Sequence, residues 1–393
     1  MLPESSNQKP SEGSIPKTYH VYQTGCGIIK AYAKYFEQYL ENHGVHQAPN
    51  PDEADYIVIG TCTVDHRSIG QATERIEACR NCAKDQNVIV AGCLVDYDRP
   101  LVERLFKGTI LSLSQIMETP DPFSLGEPYA DGEVPYFFPI NKNYLFSSGK
   151  EASHYGLINI CTGCLHKCTY CVHPLIFKGI HSLAPEKIVN IVKEGVANNV
   201  KEFILWAQDI YSYGRDINTN IIELLISLVK LKGDFTLNLG GLYPGFVDRL
   251  APDLIELLAS DKIIKMECDL QSGSPRLLKL MGRKYDLEQV AENIRAFREV
   301  KPDLMVHTHV MLGFPTETTE DVHQTADFLL QADFTSVSVF SFSPHPRTRA
   351  FDLQPRVPLP VVKERFEMLK TTLKDKEMAM VDYIPDQPIE ICT

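Results

Sequence analysis

The chain has no run of 18 or more apolar residues anywhere in its 393 positions, which excludes a bilayer-spanning helix. An apolar signal-peptide core is also missing. Residues 1–17 read instead as a polar disordered tail containing Pro and Ser, so a cytoplasmic location is expected. A basic excess is lacking too: 39 Lys and Arg face 51 Asp and Glu, a formal charge of −12. That balance repels polyanions and argues against a protein that grips nucleic acid through broad basic surfaces. What remains is ordinary globular composition, 44% hydrophobic and 23% charged. At roughly 150 residues per domain, the length suggests two or three domains.

Eleven cysteines stand out against this background. In a reducing compartment they read as metal ligands or redox groups before structural disulfides, and their odd number forbids complete pairing within one chain.

Strand-like and helix-like segments alternate along most of the sequence. Tyr19 to Thr24 ends in Gly25-Cys26. The apolar run Tyr56 to Ile59 ends in Gly60-Thr61-Cys62, and Val88 to Ala91 ends in Gly92-Cys93. This rhythm predicts an α/β fold, with an open doubly wound parallel-sheet domain over residues 18–115. Residues 116–150, rich in Pro, Gly, Asp and Asn, read as a linker. Over residues 151–380 six further βα units are expected, with strands near Gly156 to Ile160, Glu202 to Trp206, Phe235 to Leu239, Lys265 to Leu270, Met305 to Leu312 and Ser336 to Phe342. Six units fall short of a closed eightfold barrel, so a partial TIM-type barrel is expected, its chemistry at the carboxyl ends of the strands. Residues 381–393 read as a short tail.

Directly after the first barrel strand lies Cys161-Thr-Gly-Cys164-Leu-His-Lys-Cys168-Thr-Tyr-Cys171. Cysteines separated by three and then two residues can turn three thiolates toward one point, which suits a cubane iron-sulfur cluster with one iron left open. A closed structural zinc site would use four protein ligands. Cys161 could serve as an alternative ligand, but at a strand end it reads more simply as a small packed residue. Cys26, Cys62 and Cys93 each follow a candidate parallel strand by one or two residues, on the edge where α/β sheets bind ligands. Any one of them could be an ordinary buried cysteine. Together, and beside the first motif, they read as a second three-thiolate site.

The C-x3-C-x2-C spacing of Cys164, Cys168 and Cys171, with Tyr170 before the last cysteine, resembles the radical S-adenosylmethionine superfamily. With the amino-terminal cysteines, the chain resembles that superfamily's methylthiotransferases. Ala54-Asp55, Gly92-Cys93-Leu94, Gln208-Asp209, Gln271-Ser272-Gly273-Ser274, Gly313-Phe314-Pro315 and Phe342-Ser343-Pro344 carry the resemblance further, over roughly residues 18 to 376.

The resemblance implies two 4Fe-4S clusters, S-adenosylmethionine and a sulfide carried by the amino-terminal cluster, with Cys26, Cys62 and Cys93 as its ligands. One cofactor molecule would donate a methyl group to that sulfur. A second, cleaved at the Cys164, Cys168, Cys171 cluster, would yield a radical that takes a substrate hydrogen. Cofactor contacts would come from Tyr170, Gln208, Asp209, Gln271, Ser272, Gly273, Gly313 and Pro315. For Gln208, Asp209 and the Gln271–Ser274 stretch, helix capping and turn formation are equally good readings. An electron donor such as flavodoxin or ferredoxin is also implied.

Two departures from the family pattern and one likeness to a branch of it bear on the substrate. Lys178-Gly179 and Ser182-Leu183 stand where family members commonly carry Arg-Gly and Ser-Arg, and lysine cannot reproduce a bidentate guanidinium. Too few residues follow the last barrel helix to form the small C-terminal TRAM-type β-barrel of many members, so recruitment is expected to use the barrel, the linker or a delivery protein. Gln208-Asp209 and Leu242-Tyr243-Pro244 lie closer to the protein-modifying branch than to the tRNA-modifying one. The expected substrate is therefore a side chain in a peptide or protein. A tRNA adenosine and a non-catalytic electron-transfer or scaffold role are the alternatives. Cys79 and Cys82, at helical spacing, match no part of the family pattern and read as incidental or as a redox pair.

Overall fold

A computed structural model describes residues 17–23, 25, 27–79, 87–119, 121–125, 137–140, 155–376 and 378–385. The chain divides into two compact units, Met1–Cys62 with Gly70–Val134, and Thr63–Ile69 with Pro135–Thr393.

In the first unit, β1 (Thr18–Gln23), β2 (His46–Gln47), β3 (Tyr56–Thr61), β4 (Val88–Gly92) and β5 (Thr109–Leu111) form one sheet in the order β2-β1-β3-β4-β5. All pairings are parallel. Every residue of β3 and β4 is buried, as expected for central strands covered on both faces. Helix α1 (Gly27–Asn42) buries Ile29, Ala33, Phe36 and Leu40, spaced three to four residues apart on one face. Helix α2 (His66–Cys79), whose first residues belong to the second unit, and helices α3 (Cys93–Tyr97), α4 (Arg99–Leu105) and α5 (Leu113–Glu118) follow. A reciprocal capping box between Ser112 and Gln115 starts α5. This strand order reverses direction between β1 and β3, and doubly wound sheets bind ligands beyond the strand ends at such a reversal.

The second unit holds a nine-stranded sheet. Its parallel strands are β7 (Tyr155–Thr162), β9 (Glu202–Ala207), β10 (Thr236–Leu242), β11 (Ile263–Cys268), β12 (Met305–Leu312), β13 (Ser336–Ser341) and β14 (Ala379–Tyr383). β6 (Phe137–Ile140) and β8 (His181–Ser182) pair antiparallel with β7. The strand order runs from β14 to β6 without closing, so this is an open barrel. Its helices are α6 (His173–Ile176), α7 (Pro185–Ala197), α8 (Ile221–Val229), α9 (Pro244–Leu258), α10 (Pro275–Leu280), α11 (Leu287–Val300), α12 (Thr319–Gln331) and α13 (Leu359–Leu373).

Six parallel strands lie where the alternation predicts them. The seventh, β14, extends into the stretch read as a tail. It is short and mostly exposed, so no buried apolar run announces it.

The two faces of the barrel sheet differ in chemistry. Phe203, Leu205, Leu237, Leu239, Val306 and Val339 pack outward into the core shared with the helices. The alternating positions are polar yet buried: Glu202, Asn238, Lys265, Glu267, His307 and Ser338. Asn238 donates to Glu202, and the His307 ring sits 2.7 Å from Ser336 Oγ and 3.1 Å from Ser338 Oγ. The concave side is therefore a buried polar surface and not the apolar plug of a closed barrel.

Phe203 is central to the outer core. It is fully buried and meets Phe235 edge-on at 5.7 Å. A Cβ at Gly195 of α7 would lie 2.7 Å from its ring, so helix and strand are in close contact here. Phe203→Ala is expected to cost the barrel unit about 3–5 kcal/mol, read as a lower denaturant midpoint.

Candidate active site

β7 ends at Thr162, and the chain turns through Gly163 with φ +93°. A side chain here is impossible without rearrangement, because a Cβ would lie 1.9 Å from the Gly179 carbonyl oxygen. This passage delivers Cys164, Cys168 and Cys171, all half-buried, into one loop. Backbone bonds pin that loop: Thr169 N–H donates to Met281 O at 2.9 Å, Thr169 Oγ1 donates to Leu280 O at 2.8 Å, and Ala350 N–H donates to Thr169 O at 2.8 Å.

The three thiols influence one another electrostatically. Burial pushes the Cys164 thiol up to about 12, against the opposing His166 N–H. Burial also raises Cys168 and Cys171, and the Arg283 charge opposes it at both. Such thiols stay protonated and poorly nucleophilic unless a metal takes them as ligands, so the donor set fits a cluster. Cys161 is buried at the end of β7, and burial raises its thiol further, which favours the packed reading.

Two residues beside the cysteines carry no signal in the sequence pattern. Buried Arg283, in the connection between α10 and α11, donates from Nη1 to Cys168 Sγ at 3.5 Å and to Tyr170 OH at 3.3 Å. Its Nη2 donates to Asp269 O, and its guanidinium lies 4.5 Å from the Tyr243 ring centroid. His166 stacks on Tyr243 at 3.6 Å and reaches Asp209 Oδ2 with Nε2 at 3.2 Å. The periodicity cannot flag either one, since both act through contacts distant in sequence.

Gln208 follows β9 and accepts the Gly163 N–H at 3.1 Å. Its Nε2 is buried with no acceptor among the described residues, leaving one donor for a ligand. Asp209 is buried and accepts Tyr211 N–H at 3.2 Å and Ser212 Oγ at 2.5 Å, capping the 3-10 turn Ile210–Ser212. It thus both caps a turn and holds His166.

The Gln271–Ser274 stretch does structural work. Gln271, with φ +72°, bridges to β12 through His309 O and Met311 N. Ser272 Oγ lies 3.3 Å from Thr325 Oγ1, and Gly273 N–H donates to Thr325 Oγ1 at 3.0 Å. A Cβ at Gly273 would come within 2.7 Å of Gln324 O on α12, so the turn docks directly on that helix. Ser274 caps α10 and donates to Asp321 at 2.6 Å. Gly313, with φ +79°, donates its N–H to Glu317 at 3.0 Å, and Pro315 is buried in the same loop.

In the first unit, Cys62 and Cys93 are buried and directly follow β3 and β4. The preceding residues, Thr61 and Gly92, are register partners, so the two cysteines leave neighbouring strands at the same level of the carboxyl edge. Cys26 and Cys82 lie outside the described residues. Cys79 is buried at the end of α2.

Asp321 provides a pH signature for the turn. Burial alone would raise its carboxyl, but hydrogen bonds from Arg276, Ser274 and Thr318 outweigh it and hold the carboxyl down at about 2. The stabilisation is complete above the ordinary value of 3.8 and is lost as pH falls through about 2. Asp321→Asn is expected to remove that acid-side slope and to cost about 1–3 kcal/mol at neutral pH, measured as denaturant midpoints across the pH range.

Comparison with known proteins identifies the family. Residues 158–329 match the Radical SAM superfamily, and residues 18–111 match the Uncharacterized protein family UPF0004. The ribosomal protein uS12 methylthiotransferase RimO of Thermodesulfovibrio yellowstonii is 29% identical over 388 residues, spanning 94% of this chain and 88% of that protein. A probable threonylcarbamoyladenosine tRNA methylthiotransferase of Pyrococcus abyssi is 30% identical over 354 residues, spanning 89% and 82%. Among solved structures, the radical S-adenosylmethionine methyltransferase TsrM from Kitasatospora setae shares the fold, with a TM-score of 0.52 at 16% identity over 86% of this chain and 75% of that one. The chain belongs to the radical S-adenosylmethionine methylthiotransferases, sulfur-inserting enzymes that use S-adenosylmethionine and two 4Fe-4S clusters.

Proposed function

We propose that this enzyme converts a C–H bond of an amino-acid side chain in a peptide or protein into C–SCH3. In this reading Cys164, Cys168 and Cys171 hold the radical-generating cluster, and Cys26, Cys62 and Cys93 hold the sulfur-carrying one. Three mutually interacting thiols on a pinned loop support the first set. The side-by-side strand ends of Cys62 and Cys93 support the second.

When bound, S-adenosylmethionine supplies a methyl group in one role and a hydrogen-abstracting 5′-deoxyadenosyl radical in the other. The chain's own residues bind and orient. Gln208, with its unused Nε2 donor, and Gln271 are assigned to cofactor hydrogen bonds, and Tyr170 to packing beside it. Asp209, Ser272, Gly273, Gly313 and Pro315 act through the turns they build. Arg283 holds a positive charge against Cys168.

One observation carries the substrate reading: the excess of 51 acidic over 39 basic residues, which works against binding an RNA backbone. The similarity to a tRNA methylthiotransferase keeps tRNA adenosine as the second reading. A flavodoxin- or ferredoxin-type protein is the proposed reductant, and a separate delivery protein is a candidate partner. A cytoplasmic setting belongs to the same reading, because thiolates meant for clusters need a reducing compartment.

The test is anaerobic reconstitution followed by incubation with S-adenosylmethionine, sulfide, reductant and either candidate peptides or tRNA. Mass spectrometry should find the methylthio gain on peptide; a gain on tRNA alone would contradict the peptide assignment. Removing the nearby positive charge by Arg283→Gln should shift the reduction potential of the adjacent cluster to more negative values, because a cation favours the electron-rich state. An unchanged potential in an EPR-monitored redox titration would show that the guanidinium does not act on the cluster.

A further inference from the structure

Glu267 on β11 and His307 on β12 are register partners, so Asp269 and His309, two residues further along each strand direction, come level with one another. His309 Nδ1 lies 2.5 Å from Asp269 Oδ1 and 3.6 Å from Glu267 Oε1. One ligand atom from each of the three residues falls within 4.8 Å of the others. Glu267 is 4% exposed, and its second oxygen, Oε2, is buried with no hydrogen-bond partner among the described residues. Asp269 Oδ1 is likewise buried without a hydrogen-bond partner among the described residues, so the group has acceptor capacity left for a further donor.

The charges around the group agree. The concave faces of β9, β11 and β12 present Glu202, Lys265, Glu267, Asp269 and His309. Burial opposes the His309 charge, but Glu267 and Asp269 outweigh it and raise the imidazole above its ordinary value. Burial drives His307 down to about 2, so it stays neutral. Near the carboxyl end of β11, Glu267 and Asp269 thus face the one His309 imidazolium, and because burial raises the Glu267 carboxyl to about 7, the group carries its excess negative charge as Glu267 ionises. Phe340 adds an aromatic wall, edge-on to His309 at 5.2 Å and stacked on Tyr383 at 4.5 Å, a surface that suits an organic cation. The group also adjoins the cysteine loop, because Arg283 bonds both Cys168 Sγ and the Asp269 carbonyl.

We propose, resting on the peptide-substrate reading above, that Glu267, Asp269 and His309 form a subsite for a cationic side chain of the substrate, an alkylammonium or alkylguanidinium. His309 Nδ1 and Asp269 Oδ1 form an ion pair at 2.5 Å. Two ligands around one metal ion, at bond lengths of about 2.0–2.2 Å, stand roughly 3 Å apart or more, so the geometry favours an N–H cation over a metal. The built-in imidazolium already occupies part of the site, and a substrate cation completes it at Glu267 Oε2. A substrate lacking that cation leaves a buried carboxylate unpaired, which is how the site selects.

The test uses the reconstituted holoenzyme under anaerobic conditions and calorimetric titration with n-butylguanidinium, n-butylammonium, butyramide and butyrate. Both cations should bind at least about tenfold more tightly than butyramide, with butyrate weakest. Glu267→Gln should weaken guanidinium binding by about tenfold, whereas His309→Gln, which removes the internal cation, should strengthen it. A merely structural role for His309 gives no such gain, and this second variant decides the matter if the first does not fold. Equal binding of all four probes, no binding of the cations, or tighter binding of butyrate overturns the proposal. Stoichiometric Zn²⁺ binding that disappears in His309→Gln overturns it in favour of a metal site. These readouts need no turnover, so they are separate from a failure of the peptide reading, which appears as methylthio gain on tRNA alone.

Discussion

Arg283 is a guanidinium 6% exposed to solvent, and a charge so deeply placed is tolerated only when its donors are satisfied. Cys168 Sγ, the Tyr170 and Tyr285 hydroxyls and the Asp269 carbonyl all accept from it. These acceptors come from the cysteine loop, from the far end of β11 and from the start of the α11 connection. One side chain therefore ties the cysteine loop after β7 to the end of β11, with β9 and β10 lying between the two strands in the sheet. Its charge also opposes the upward push that burial gives the Cys168 and Cys171 thiols.

The remaining polar contacts extend this arrangement. Tyr243 receives the Arg283 cation on its ring and the His166 ring in a stack, and its hydroxyl accepts the Lys284 N–H at 2.9 Å. His166 in turn leans on Asp209, which caps the turn after β9. Gln208, its neighbour, receives the Gly163 N–H at the exit of β7. The ends of β7, β9, β10 and β11 are thus cross-connected around one loop, which is the preorganisation that a cluster site requires. The polar inner face of the barrel begins immediately beneath it.

The parts legible in the sequence are those encoded locally. Cysteine spacing within an eleven-residue stretch is visible without a fold, as are the apolar runs of β3, β4 and β9 and the periodic faces of α1 and α12. Short edge strands such as β2 and β14 bury little and leave no such trace. The motif Gln271-Ser272-Gly273-Ser274 is visible in the sequence, but its role is not: the same residues suit a cofactor contact or a turn, and only the packing of Gly273 on α12 shows the turn being built. Arg283, His166 and the Asp269–His309 pair depend on strand register and on loops distant in sequence, so nothing in their local composition announces them.

The central claim is that two separate three-cysteine sets each hold a cluster, one in each unit. Iron analysis with EPR on the anaerobically reconstituted protein and on its Cys26/Cys62/Cys93 triple alanine variant tests it most directly. The account predicts roughly eight irons per chain in the native protein, falling to roughly four in the variant, whose remaining signal still responds to S-adenosylmethionine. An undiminished iron content in the variant would contradict it.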